Sequence, residues 1–136
     1  MYNPTLSYGA PQFTVKLHLA NADGLNTFTA YGDDYVDING RRHTTAIAVL
    51  PDRLVPGWTN ARFETLCEDD FATLAGLGAE ILLLGTGNSL RFPSPALLQP
   101  LMAARIGLEV MDTRAACRTY NILAAEGRKV AAAILL

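Results

Sequence analysis

Cysteine and histidine are both scarce. Cys67 and Cys117 are the two cysteines of the 136-residue chain, too few for a disulfide framework that a chain of this length does not need. Neither they nor His18 and His43, the two histidines, stand at a spacing typical of a metal site. Long apolar runs are also missing. Each one is well short of the roughly 20 residues that a spanning helix needs, and most are broken by glycine or proline. The opening residues contain no basic segment followed by an apolar stretch and a small-residue cleavage site, so no secretory signal is read and a soluble, cytoplasmic protein is expected. Charge of one sign is not in excess. The chain carries 11 basic and 13 acidic residues, a formal charge of −2, and no basic patch, which argues against nucleic acid or an anionic membrane as partner.

What is present is apolar. Half of the residues are hydrophobic and 18% are charged, which excludes a disordered chain. A single domain over residues 1–136 can hide roughly two-thirds of its unfolded surface. The organising stretch is Ile81-Leu82-Leu83-Leu84, which runs without a polar residue into Gly85-Thr86-Gly87. Such a run reads as a strand buried on both faces and delivered to a tight turn.

The segment Met1 to Pro11 reads as a flexible surface arm. Phe13 to Ala20 alternates apolar and polar residues and reads as a half-buried strand, with a second strand at Asn26 to Tyr31. Asn39-Gly40 tolerates the positive φ angles of a type I′ turn, so Tyr35–Ile38 and Arg41–Leu50 should pair as a hairpin. Leu54 to Arg62 is expected to be a loop whose Trp58 covers the core. Glu68 to Leu77 reads as a helix, with acids at its first turn and Phe71, Leu74 and Ala75 on one face.

Beyond the glycine turn, Ser94 and Pro95 mark a helix start, and the helix should run to about Arg105. Pro100 inside it predicts a kink or a late start. Leu108 to Met111 reads as a short buried strand. Asp112-Thr113 then caps a helix to about Glu126 with Ala116, Tyr120 and Leu123 on its inner stripe. Lys129 to Leu136 is apolar at nearly every position and is expected to be a central strand. An antiparallel first half and a strand-helix-strand-helix-strand second half together predict an α/β fold, one mixed sheet with helices packed on it.

The chemistry is sparse. The Gly85-Thr86-Gly87 turn lacks the third glycine of a dinucleotide fingerprint, since Leu90 occupies that position, and the following helix starts too late to place its N-terminus on the turn. Asp112 is the stronger candidate. It and Gly85 follow strands expected to be parallel, whose ends meet at the edge where open α/β folds place ligand crevices. Gly85, Thr86, Gly87, Phe92, Asp112, Arg118 and Asn121 are therefore the candidate binding residues, with no catalytic residue and no metal ligand assigned. The competing reading makes Asp112 a helix cap paired with Arg118. Cys117, flanked by Ala115 and Ala116, reads as a buried and inert thiol.

The segments Leu84-Gly85-Thr86-Gly87, Glu109-Val110-Met111-Asp112-Thr113, Ala115 to Leu123 and Glu126 to Ala133 resemble a family of small proteins. It includes the mitochondrial assembly factor of respiratory complex I, the adipogenesis-associated protein of animals, and bacterial and archaeal members of unknown function. The resemblance implies a three-layer α/β domain with a mixed central sheet and an added antiparallel β-hairpin layer. It also implies no cofactor, no established catalytic activity and a protein partner, with self-association left open. The expectation is thus a non-enzymatic binding or scaffolding protein that assists assembly of respiratory complex I. The alternative is a small-molecule-binding protein or enzyme with a cleft around Asp112 and Arg118.

Overall fold

Strands β1 (Val15–Lys16), β2 (Phe28–Tyr31), β3 (Val36–Ile38) and β4 (Arg41–His43) form a small antiparallel sheet in that spatial order. The computed structural model describes residues 15–16 and 24–136, so the Met1–Pro11 arm and most of the Phe13–Ala20 strand lie outside the described residues. Between β3 and β4, Asn39 and Gly40 adopt φ values of 54° and 82°, as a type I′ turn requires.

The long second arm read as Arg41–Leu50 is divided. Arg41–His43 stays in the small sheet, whereas β5 (Ile47–Leu50) belongs to a second sheet, with exposed Thr44 and Thr45 between them. Two sheets share what the alternating pattern presents as one strand. The loop expected over Leu54–Arg62 is corrected in its first part: β6 (Arg53–Pro56) pairs antiparallel with β5 before the chain turns at Gly57.

The second sheet has the order β6-β5-β9-β7-β8, where β7 is Ile81–Gly85, β8 is Gly107–Met111 and β9 is Val130–Ile134. β5 runs antiparallel to β6 and β9, and β9, β7 and β8 are mutually parallel. The final apolar strand is thus central, as its composition predicts. β8 is an edge strand, not a buried one, and its residues alternate between exposed and partly covered.

Period-2 alternation divides the core into two. Ile47, Val49, Leu83, Val130, Ala132 and Ile134 face one side, where they meet Phe28, Tyr31, Val36 and Ile38 of the small sheet and Ala116, Cys117, Tyr120 and Ala124 of α3 (Thr113–Ala125). Ala48, Leu50, Leu82, Leu84, Ala131 and Ala133 face the other side, where Phe71 and Leu74 of α1 (Glu68–Ala75) and Leu101 of α2 (Gln99–Ala103) cover them. The result is three layers, with α1 and α2 below, the mixed sheet in the middle, and α3 with the small sheet above. Trp58 is buried in the lower cluster and its indole N–H donates to the Ile134 carbonyl at 3.2 Å.

The Pro95–Leu98 segment is a 3₁₀ turn, and α2 starts only at Gln99 with Pro100 in its first turn, where no helical N–H bond is lost. Each crossover joins parallel strands, with α2 below the sheet and α3 above it. That topology brings the ends of β7 and β8 together.

Candidate functional site

Gly85 is in contact with α3. A Cβ added there would lie 2.9 Å from Ile134 Cδ1 and 3.2 Å from both Ala116 Cβ and Thr113 Oγ1. With hydrogen in place of a side chain, the first turn of α3 closes over the end of β7 without displacing Ile134, Ala116 or Thr113. The two segments expected to face one another across a crevice are in fact bonded directly. Thr86 N–H donates to the Met111 carbonyl at 3.0 Å, Thr113 N–H donates to the Gly87 carbonyl at 2.9 Å, and Gly87 N–H donates to Thr113 Oγ1 at 2.9 Å.

Thr86 is fully buried and ties down the loop that follows. Its hydroxyl donates to the Ser89 carbonyl at 2.7 Å, with the Met111 carbonyl at 3.3 Å, and accepts from Arg91 N–H at 3.2 Å. Arg91 completes the clamp. Its guanidinium donates to the Thr86 carbonyl at 3.2 Å, pairs with Glu64 at 2.6 Å and stacks 4.5 Å from the centre of the Phe63 ring. The Glu64 carboxyl is held below its ordinary range by a hydrogen bond from its own backbone N–H and by the Arg91 charge. Sequence reasoning missed Arg91 and Glu64, because no short-range pattern links residues 27 positions apart.

The loop so fixed presents apolar side chains to solvent: Leu90 is 50% exposed and Phe92 is 70% exposed. A large aromatic left this open on a pinned loop is an informative exposure.

Asp112 is the N-cap of α3. Its carboxylate accepts from Ala115 N–H at 2.9 Å, satisfying an otherwise free donor where the helix dipole favours negative charge. Its partner is therefore the helix terminus. Arg118 points elsewhere, donating to Tyr31 Oη of the small sheet at 2.8 Å, and no ion pair joins it to Asp112 among the described residues. Asn121 is buried one turn further on and its amide is bonded to the backbone of Phe28. The fold thus brings Gly85, Thr86, Gly87 and Asp112 into one bonded cluster and sets Phe92 on the loop beyond it. Arg118 and Asn121 face the small sheet.

Cys117 lies in the upper core, where burial pushes its thiol well above the ordinary range. Among the described residues, no group of three histidine, cysteine, aspartate or glutamate side chains converges as a metal site. A pocket of about 370 Å³ opens at the other end of the parallel strands, walled by Leu50, Leu77, Ala79, Ala124 and Val130. At its rim Arg53 pairs with Asp52 at 3.7 Å and donates to the Leu77 carbonyl at the end of α1. No helix among the described residues is long and apolar enough to cross a membrane.

A family model described as a protein of unknown function (DUF498/DUF598) matches residues 28–135. The chain is similar to human NADH dehydrogenase (ubiquinone) 1 alpha subcomplex assembly factor 3, with 35% identity over 100 residues that make up 72% of this chain and 54% of that protein. It spans a little over half the length of the mammalian assembly factors it matches. A crystal structure of a Bordetella parapertussis protein superposes with a TM-score of 0.77 at 45% identity, covering 85% of this chain and 98% of that one. The solution structure of a Bordetella pertussis protein described as an Mth938-like domain superposes with a TM-score of 0.74 at 37% identity, covering 89% of this chain and 92% of that one.

Proposed function

The chain belongs to the DUF498/DUF598 family, and from that premise we propose that it is a non-enzymatic binding protein assisting assembly of the respiratory NADH dehydrogenase, complex I. Support comes from relatives that carry the name of an assembly factor for that complex. The observation on this chain that favours binding is Phe92, 70% exposed on a loop clamped by Thr86 and Arg91. An exposed aromatic on a rigid support meets a partner with little ordering entropy to lose.

In this reading the contact face centres on Phe92, with Gly87 and Asp112 towards its margin, while Arg118 serves the small sheet. Gly85 and Thr86 support it from within, while Asn121 holds the small sheet to α3. The occupant is a protein subunit of the complex, met in the cytoplasm. A small-molecule cleft between Asp112 and Arg118 draws less support, because each group already has a partner and they face different elements.

The test is complementation in the native host. Deleting the gene should lower the amount of assembled NADH dehydrogenase on native gels. Wild-type protein should restore it, and an equally abundant Phe92→Asp protein should not. Unchanged complex levels on deletion would count against the assembly role, and full restoration by Phe92→Asp would count against this face.

A further inference from the structure

β8 is the edge of the five-stranded sheet, and its outer side is unpaired among the described residues. Its parallel ladder to β7 uses the polar backbone groups of Gly107, Glu109 and Met111. The bonds from Gly107 N–H to the Glu80 carbonyl and from Thr86 N–H to the Met111 carbonyl mark its two ends. Successive residues of a strand turn these groups to opposite sides. Leu108 and Val110 therefore direct their N–H and C=O groups outwards, as a free template for another strand.

The opposite edge is guarded. β6 reads Arg53-Leu54-Val55-Pro56, with a charge at one end and a proline at the other, and both blunt strand addition. β8 has no proline and one charged residue, the central Glu109, which is exposed and has no ion-pair partner among the described residues. Register fixes the faces. Glu109 lies opposite Leu83 and so on the α3 side, whereas Leu108 and Val110 lie opposite Leu82 and Leu84 on the side of α1 and α2, in the same apolar cluster as Ile106.

We propose that β8 accepts an extended segment of another protein as an added strand, with a Lys or Arg opposite Glu109 flanked by apolar residues on the Leu108 and Val110 side. Backbone pairing supplies the attachment and the alternating side chains supply selectivity. A second copy of this chain fits less well. The two-fold antiparallel register that pairs all five residues of β8 sets Glu109 against Glu109, and directly opposed like charges are unfavourable. Strand addition here rests on the free backbone edge of the sheet and is independent of any role in assembly.

The experiment is an amide-shift titration of the isotope-labelled full chain with the blocked peptide Thr-Thr-Val-Lys-Val-Thr-Thr, using the Glu-for-Lys peptide as comparison. The Lys peptide should shift Leu108 and Val110 and bind about fivefold more tightly than the Glu peptide at low salt, in keeping with a cross-strand charge pair. Glu109→Lys should reverse that preference. Val110→Pro should abolish binding, since it removes an outward N–H and leaves the ladder to β7 intact. The proposal is overturned if millimolar peptide leaves Leu108 and Val110 unmoved, if shifts centre on Leu90 and Phe92, or if Glu109→Lys leaves the preference unchanged. Concentration-dependent shifts at β8 without peptide would overturn it in favour of a second copy.

Discussion

The side-chain amide of Asn121 pairs with the backbone of Phe28 as a neighbouring strand would, accepting from its N–H at 2.9 Å and donating to its carbonyl at 2.8 Å. Both residues are buried, so water cannot replace either bond. Asn121→Ala should therefore leave two buried backbone groups unpaired and cost about 2–4 kcal/mol. Asn121→Asp should cost at least as much, because it keeps an acceptor, loses the donor and buries a charge. Urea midpoints at neutral pH check both. A loss under about 0.5 kcal/mol for the Ala protein would mean the small sheet is not held to α3 through this amide.

Gly85 and Ile134 make a second coupled pair. Gly85→Ala should place a Cβ 2.9 Å from Ile134 Cδ1 and cost about 1–3 kcal/mol through overpacking at the start of α3. Ile134→Val removes the clashing methyl. Combined with Gly85→Ala, it should cost clearly less than the sum of the two single changes. Strict additivity in thermal or urea unfolding would show that the clash lies elsewhere, at Ala116 or Thr113.

Much of the fold was legible because local chemistry and burial agreed. Asn39-Gly40 allows one kind of turn, Asp112 is a cap wherever its helix lies, and the apolar runs at Ile81 and Val130 are covered on both faces. The division of Arg41–Leu50 was not legible, since β4 and β5 share one alternating pattern and part only because two sheets claim them. Strand β6 was hidden by Arg53 and Pro56, residues typical of a loop and equally suited to an edge. At the candidate site, the meeting of Gly85–Gly87 with Asp112 followed from parallel strands. The engagement of Arg118 with Tyr31 and of Asn121 with Phe28 spans 87 and 93 residues and depends on packing that no spacing rule contains.

Burial raises the pKa of the Cys117 thiol and, with a smaller contribution from the Asp52 charge, of the Tyr120 phenol. Both groups hold their protons more tightly folded than unfolded. Their contribution to stability is complete below the unfolded values, about 8.5 for a thiol and about 10 for a phenol, and is lost as pH rises above them. The urea midpoint should hold from pH 7 to about 8.5 and then fall, with each group adding up to about 1.4 kcal/mol per pH unit beyond its unfolded value. Cys117→Ala should delay the onset to about pH 10. A profile flat to pH 10.5 would contradict this burial. In the native protein a thiol reagent should label exposed Cys67 readily and Cys117 only on unfolding.

Arg91 tests whether the loop carrying Phe92 is held by shape or by charge. Its exposed pair with Glu64 should contribute little by itself, so Glu64→Gln should change stability by less than about 0.5 kcal/mol. Arg91→Lys keeps the charge but loses the planar fork that reaches Glu64 and the Thr86 carbonyl while lying over Phe63. It should cost about 1–2 kcal/mol and speed hydrogen exchange from Gly87 to Phe92. If Glu64→Gln loosens the loop while Arg91→Lys is tolerated, the clamp is electrostatic and the loop should loosen with salt. If Arg91→Lys alone loosens it, the loop is fixed by geometry and stays rigid at high ionic strength, the condition under which Phe92 remains presented.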